Sequence, residues 1–557
     1  MDGPIRILVP TGSLGAGASE KEVAYGIAQG ARAIATDAGS TDSGAAYLAL
    51  GISKNNRGSV KRDLSILMKA GAEAKIPLII GTCGQAGGDR NLDWTAEIVV
   101  EVARELGVRP KIALLYSEQD KADLKARNAA GQISPLAPLG PLDDADIDAC
   151  EHIVAAMGPE PYMAALEAGA DIVLGGRTTD TAVLACFALL HGAPAGPAWH
   201  AAKIAECGAQ CTAVRNGGAG VLIGIGPDGF EVEPLAADNW CDPESVSAHM
   251  LYENSDPFML TEPGGVLNVT QAVYTQASPR AVKVTGSVWE PRPYTMKLEG
   301  AAASRFQTVM LIGIQDPDVL ADIDAFHDRL LAALYQRVHK TIGAAAGDFH
   351  ISLRLYGWNA VSGDKPPEGT PPPREVGVLF VATADTQEMA SQIAKACNPY
   401  FFHFPLVMDK ELPSYGFAFT PADIDRGPVF EFKLNHVVQV DPLVADPAAR
   451  DDLQLRQRRQ QRTRHPRMAD DPARSPDQQR LELGLREVAV ALARRQVGDR
   501  HLAAAFLQIG AGRVVEEPLG DDDPAAHASS STSSSRTYCW PACMSRSTIP
   551  PCGAARG

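Results

Sequence analysis

No stretch of the 557 residues stays apolar for the roughly 18–20 positions that a membrane-spanning helix needs, so the chain reads as a soluble protein with no membrane partner. The opening Met1-Asp-Gly-Pro-Ile-Arg-Ile-Leu-Val-Pro10 lacks a basic region followed by a long apolar run. It is expected to be a first strand, not an export signal, which implies a cytoplasmic protein. Basic charge is also short: 51 Lys and Arg face 67 Asp and Glu, a net charge of −16. Phosphate backbones need a basic surface, so nucleic acid is excluded as a general partner. An anionic small molecule is not, because one local Arg or Lys can oppose the global sign. The ten cysteines include no Cys-x-x-Cys pair; Cys207 and Cys211 stand alone and read as free thiols, not a zinc site.

What is present is alternation. Six times in the first 190 residues a β-branched, apolar run ends at a small or acidic loop and a helical pattern follows. The strands fall at 5–9, 31–36, 77–80, 111–116, 152–157 and 171–174. The helices fall at 19–29, 59–74, 93–106, 119–129, 159–168 and 179–190, with Ser19, Ser59 and Asp93 as expected N-caps. Runs such as Pro77-Leu-Ile-Ile80 are apolar at consecutive positions, as strands buried on both faces require. The fold class is α/β: an amino-terminal parallel sheet of alternating β/α units, open and doubly wound, over residues 1–215. Past residue 220 the strands (220–226, 266–274, 281–288, 308–314, 348–356, 376–383) are joined by turns, with a helix over 316–342. That pattern predicts an α+β domain over 216–445, in which the proline-rich 363–374 is a surface loop.

Composition shifts again in 446–557. Residues 451–557 hold sixteen Arg, no Lys and thirteen acidic residues, a net charge of +3, which leaves −19 on the first 450. This Arg/Ser-rich tail has few aromatics and a serine run at 529–535, so it is expected to be disordered and dispensable. A helix over Leu481–Gln508 is the one element its spacing allows. A basic arm that recruits a partner is the other reading of the same composition.

In a parallel β/α chain, ligands bind beyond the carboxyl ends of the strands. The loops there are the candidate site. Pro10-Thr-Gly-Ser-Leu-Gly-Ala-Gly17 lacks the lysine ending of a phosphate-binding loop and the glycine spacing of a dinucleotide loop. It can cradle an anion with backbone N–H groups or simply turn the chain. Gly81-Thr-Cys-Gly-Gln-Ala-Gly-Gly88 spends four glycines in eight residues, more than a plain turn needs. Gly81, Gly84, Gly87 and Gly88 are therefore candidate substrate contacts, with Cys83 a weak candidate nucleophile. Asp37, Asp42, Glu118 and Asp180, from separate strand ends, are candidate catalytic acids that would move protons or bind a divalent cation, or else cap turns and helices. Arg177 and Thr178 are expected to hold a carboxylate or phosphate, Arg177 facing ligand and not core. Lys61 and Arg62 open a helix, where cations are unfavourable, so an anion nearby would explain them. His200 and Lys203 share one helical face.

Asp37–Asp42, Val60–Leu64, Pro77–Gly81, Ser117–Lys121, Gly175–Asp180, Ala198–His200, Leu251–Pro257, Glu262–Val266, Tyr294–Gly300 and Leu434–Val438 together resemble the acyclic terpene utilisation (AtuA) family. The resemblance covers about residues 5–443. It implies catabolism of acyclic terpenes and branched carboxylic acids through acyl-CoA intermediates, a carboxylate or acyl-CoA thioester as substrate, and a small partner protein. A lyase, and in particular a hydro-lyase, is the expected enzyme class, assembled as a homo-oligomer; a binding or scaffolding subunit is the alternative. The family's paired acidic residues before Pro-Leu are replaced here by Gln439-Val-Asp-Pro-Leu443. A reading-frame shift would leave such a missing residue and an unrelated tail.

Overall fold

The computed structural model describes residues 3–214, 217–405, 415–440 and 504–508. Five strands form its parallel heart, in the order β1 (Ile5–Val9), β2 (Ala33–Asp37), β3 (Leu78–Gly81), β7 (Ile172–Gly175) and β4 (Lys111–Leu115). Side chains alternate between two cores because successive residues of a strand point to opposite faces. Ile7, Ile79, Ala113 and Val173 pack on one side, while Leu8, Leu78, Ile80, Ile112 and Leu174 pack on the other. The helices α7 (Glu160–Glu167), α8 (Asp180–Leu190) and α9 (Ala195–Ala205) cover the first face. The second is covered by α1 (Glu20–Ala28), α3 (Arg57–Ala74) and α4 (Asp89–Leu106). The short α2 (Ala45–Leu50) packs over the carboxyl edge, and α5 (Lys121–Ala129) and α6 (Asp144–Ala149) follow β4.

The sheet runs on past residue 215. The hairpin of β8 (Val221–Gly226) and β9 (Gly229–Pro234) pairs antiparallel with β1, then β13 (Val282–Thr285) and β12 (Val273–Gln276) complete that side. Three short strands, β10 (Met259–Glu262), β11 (Gly265–Asn268) and β14 (Val288–Pro291), make a separate small sheet.

A second large sheet is built on β15 (Thr295–Ile314), twenty residues long. Its later half pairs with β17 (Val376–Ala384), which carries β16 (Phe349–Tyr356), and with the two-residue β18 (Gly416–Phe417). The strand β19 (Ile424–Gln439) follows β15 through several bulges and holds β5 (Ile133–Pro135) on its far side. The helices Ile323–Thr341 and Gln387–Cys397 bury the sheet's apolar face.

Several expectations are corrected. The run read as a sixth strand of the parallel sheet becomes β6 (His152–Ala155), which pairs antiparallel with β15; Met157 makes only one bridge, to Thr178. Ser59 and Asp93 lie inside helices that start earlier. Asn56 caps α3, accepting from the Gly58 and Ser59 N–H groups at 2.8 and 3.3 Å, whereas Glu118 reaches across to the first N–H of α4, that of Asp89, at 2.9 Å. Ser19 does sit at the N-cap of α1, without a side-chain hydrogen bond. The tail expectations fall almost entirely outside the described residues. The exception is β20 (Ala504–Gln508), an edge strand antiparallel to β4 and not the end of a helix. Among the described residues no helix is long and apolar enough to cross a membrane.

Candidate functional site

The loops after β3 and β7 zip together. The Thr82 and Cys83 N–H groups donate to the Gly176 and Gly175 carbonyls at 3.0 and 2.9 Å, and the Arg177 N–H donates to Gly87 O at 3.0 Å. A Cβ on Gly87 would sit 2.3 Å from the Arg177 nitrogen, and one on Gly176 would sit 2.6 Å from the Ser117 hydroxyl. Glycine is needed at both for backbone to lie on backbone. Thr82 and Gln85 hold φ values of 41° and 87°, conformations that L-residues adopt at a cost and that surrounding structure must impose. Gly81, Gly84, Gly87 and Gly88 are all buried; Gly87 lies against the Arg177 loop, while Gly81 packs on Val183, and Gly84 and Gly88 on Asn91. Thr178 is fully buried, bonding Tyr162 Oη at 2.7 Å and donating to Gly176 O at 2.9 Å. Cys83 is buried as well, and burial pushes its thiol far above the range of a nucleophile.

Arg177 lies at the centre. Its Nε donates to Glu299 Oε2 on β15 at 2.7 Å, and its Nη1 stands 3.6 Å from Asp180 Oδ1. Glu299 Oε1 accepts from Thr41 Oγ1 and pairs with Lys297 Nζ, both at 2.8 Å. Burial alone would raise the Glu299 carboxyl; Arg177 and Lys297 overcome it and hold the pKa at about 2. Asp37 ends β2 beside this group. Its Oδ2 accepts from the Gly39 N–H at 2.8 Å, while its buried Oδ1 has no hydrogen-bond partner among the described residues. Burial, reinforced by Asp180, pushes the Asp37 carboxyl well up against the opposing pull of Arg177.

Arg177 and Asp180 open onto a cavity of about 460 Å³ whose other charged walls come from α9, β10, β15 and the segment 253–256. Lys203 and Lys297 supply positive charge; Glu206, Glu253, Asp256 and Glu262 join Asp180 on the negative side. Glu262 Oε1 accepts from Thr181 Oγ1 at 2.8 Å. Burial raises the Glu262 carboxyl to about 7, with Thr181 and Lys203 pulling against it. Lys203 and Glu206 form a buried pair, and burial raises Glu206 to about 8 despite that partner. Asp180 is raised too, first by burial and then by Asp42. A carboxyl that titrates near neutrality can both accept and donate a proton at working pH.

The remaining candidates do not line this cavity. Glu118 binds the N-terminus of α4 and pairs with His152 Nδ1 at 2.9 Å. Lys61 pairs with Glu101 and Glu105 of α4, each at 2.6 Å, so the anions that explain it belong to the next helix. Asp42 is exposed at the loop tip. His200 is fully buried between Ser287 and Tyr274, and burial drops its pKa to about 3, a structural histidine. The Pro10–Gly17 loop does cradle an anion, and it is the protein's own Asp63. That carboxylate accepts from the Gly15, Gly17 and Ala18 N–H groups at 2.9–3.0 Å.

Two other cavities are larger. One of about 720 Å³ meets the site cavity at Pro263 and contains the stacked Trp199 and Trp289 and the 2.6 Å hydrogen bond from Tyr294 to Glu160. The other, about 700 Å³, lies at the amino-terminal edge of the strands, where the charged residues Lys75, Arg109, Glu167 and Asp171 are all exposed.

Sequence patterning did not find Glu206, Glu253, Glu262, Lys297 or Glu299 as site residues. They sit on elements remote in the chain, and the only signal was that four of them fall within the strings 251–257, 262–266 and 294–300. Comparison with known proteins agrees with those strings. The family model for acyclic terpene utilisation family protein AtuA matches residues 57–219 and 232–415. No curated protein and no solved structure matches the chain.

Proposed function

The chain belongs to the acyclic terpene utilisation AtuA family, and from that premise we propose that it is a hydro-lyase of acyclic terpene catabolism acting on a branched acyl thioester or its carboxylic acid. The observation that carries this reading is Glu262, a carboxyl raised to about 7 on the wall of a 460 Å³ cavity that also holds Lys203, Lys297 and Arg177. Adding water across a carbon–carbon double bond next to an acyl group needs one group that takes a proton and returns it. The Glu262 carboxylate removes a proton from water as the water oxygen bonds to C3. The electron pair of the double bond moves to C2, and the same proton is then delivered there. The negative charge that develops on the acyl oxygen meets the ammonium groups of Lys203 and Lys297, positive charge held in place on the cavity wall. Arg177, held by Glu299, sets the field of the site and positions Asp180.

The test is turnover of purified protein with branched enoyl-CoA thioesters, followed by loss of the conjugated thioester absorbance. Glu262→Gln is expected to lower kcat by about 100-fold or more, the usual weight of a general acid–base group. Binding of the same thioesters with no turnover, alone or with added small proteins, would replace this reading with that of a binding subunit.

A further inference from the structure

Behind the cavity wall at Glu206, three side chains differ in kind from the acid–base group. Glu206, Cys207 and His249 bring a carboxylate oxygen, a thiol sulfur and an imidazole nitrogen within 4.8 Å of one another. Glu206 and His249 are buried, and Glu206 lines the cavity. We propose that Glu206, Cys207 and His249 bind one zinc ion beside the 460 Å³ cavity that Glu206 lines.

Each ligand is fixed by its backbone before any ion arrives. Glu206 caps the end of α9 and Cys207 follows directly, pressed against the turn after β1 so closely that a Cβ on Gly12 would lie 2.6 Å from the Cys207 carbonyl. That contact gives the first glycine of the Pro10–Gly17 loop a reason. His249 leaves the helix Pro243–Ala248, whose start is locked by a reciprocal bond between Asp242 and Ser245, and its ring stacks on Tyr252 at 5.6 Å.

The donor set selects the metal. One thiolate, one imidazole and one carboxylate are typical zinc ligands, while calcium and magnesium take oxygen almost alone. Three protein ligands leave the fourth tetrahedral position for water or substrate. Lys203 pairs with the Glu206 carboxylate, as outer partners commonly do for metal ligands. Charge agrees: five carboxyl groups line the cavity against three cationic side chains, and the excess negative charge is what a divalent cation would neutralise.

The full chain, expressed with zinc in the medium and purified without chelator, is expected to carry about one zinc per chain by elemental analysis. Replacing zinc with cobalt should give a thiolate-to-cobalt charge-transfer band together with tetrahedral visible bands, a readout that needs no variant. Cys207→Ser and His249→Gln, each checked for folding by circular dichroism, should weaken zinc binding by about 100-fold or more. A protein that binds no zinc in titration, a cobalt form without the thiolate band, or a Cys207→Ser variant that keeps the ion would each overturn the site. None of these measurements depends on turnover, so the zinc site and the hydro-lyase reading stand or fall separately.

Discussion

Arg177 Nε and Glu299 Oε2, 2.7 Å apart and both buried, join the loop that ends the fifth parallel strand to the long strand of the second sheet. One ion pair thereby fixes a wall of the cavity whose halves come from residues 122 apart in sequence. Arg177 was expected to face a ligand alone. It does line the cavity, but its guanidinium is already spent on Glu299, Asp180 and the Thr178 carbonyl, so its removal reaches into the fold as well as the site.

Glu299→Ala should destabilise the protein by about 3–5 kcal/mol, because it removes the nearest carboxylate from a buried guanidinium. Replacing both partners, as in Arg177→Met with Glu299→Leu, should recover part of that loss. Urea unfolding of the two variants checks it; a loss below about 1 kcal/mol in Glu299→Ala would show that solvent reaches Arg177.

Acid should act through the same pair. Lys297 and Arg177 face Glu299 and hold its folded pKa at about 2, below the ordinary value of 4.5. The folded state therefore binds fewer protons than the unfolded chain. The stabilisation is complete above the ordinary value and is lost as pH falls through 4.5 toward 2. Glu299→Gln should flatten the stability–pH curve in that window, measured by melting temperature against pH.

Glu262 has the opposite sign. Arg177, Asp180, Lys203 and Glu206 share its cavity, and burial raises its folded pKa to about 7, above 4.5. The folded state keeps a proton that the unfolded state releases, so stability declines as pH rises from 4.5 to 7 and stays lower beyond. Glu262→Gln should stabilise the protein at pH 8 by on the order of 1 kcal/mol while removing the pH limb near 7 from kcat/KM. A variant that loses stability at pH 8 would place Glu262 in a structural role.

The parallel sheet was legible because strands buried on both faces read as unbroken apolar runs, as in Leu78-Ile-Ile80. The same signal could not say which sheet claims a run: His152–Ala155 looks alike and pairs with β15. The continuity of β15 was hidden by Gly300-Ala-Ala-Ala-Ser304, residues poorly disposed to strands that are held there by pairing along β19. Strand-end loops pointed to Arg177, Asp180 and Asp37. The other walls of the cavity come from helices and antiparallel strands whose residues carry no local pattern, since they meet only through tertiary packing. Helix starts were misread where the capping group came from elsewhere, as with Glu118 at α4.

Asp63 gives the last test, because it decides what the first glycine loop is for. A loop built to bind a ligand phosphate would leave its N–H groups open to that ligand. Here the fully buried Asp63 carboxylate takes three of them, from Gly15, Gly17 and Ala18, and Arg62 Nη1 stands 3.1 Å from the same group. Asp63→Ala should cost about 3 kcal/mol, the scale of losing charge-assisted bonds and leaving buried donors unpaired. Asp63→Asn, which keeps one acceptor, should cost less. Phosphate or an acyl-CoA added to Asp63→Ala should restore little of the loss, since the vacated position lies beneath the turn and not on the cavity. Full rescue by a phosphate-bearing ligand would show instead that the loop is an anion site which Asp63 occupies in the ligand's place.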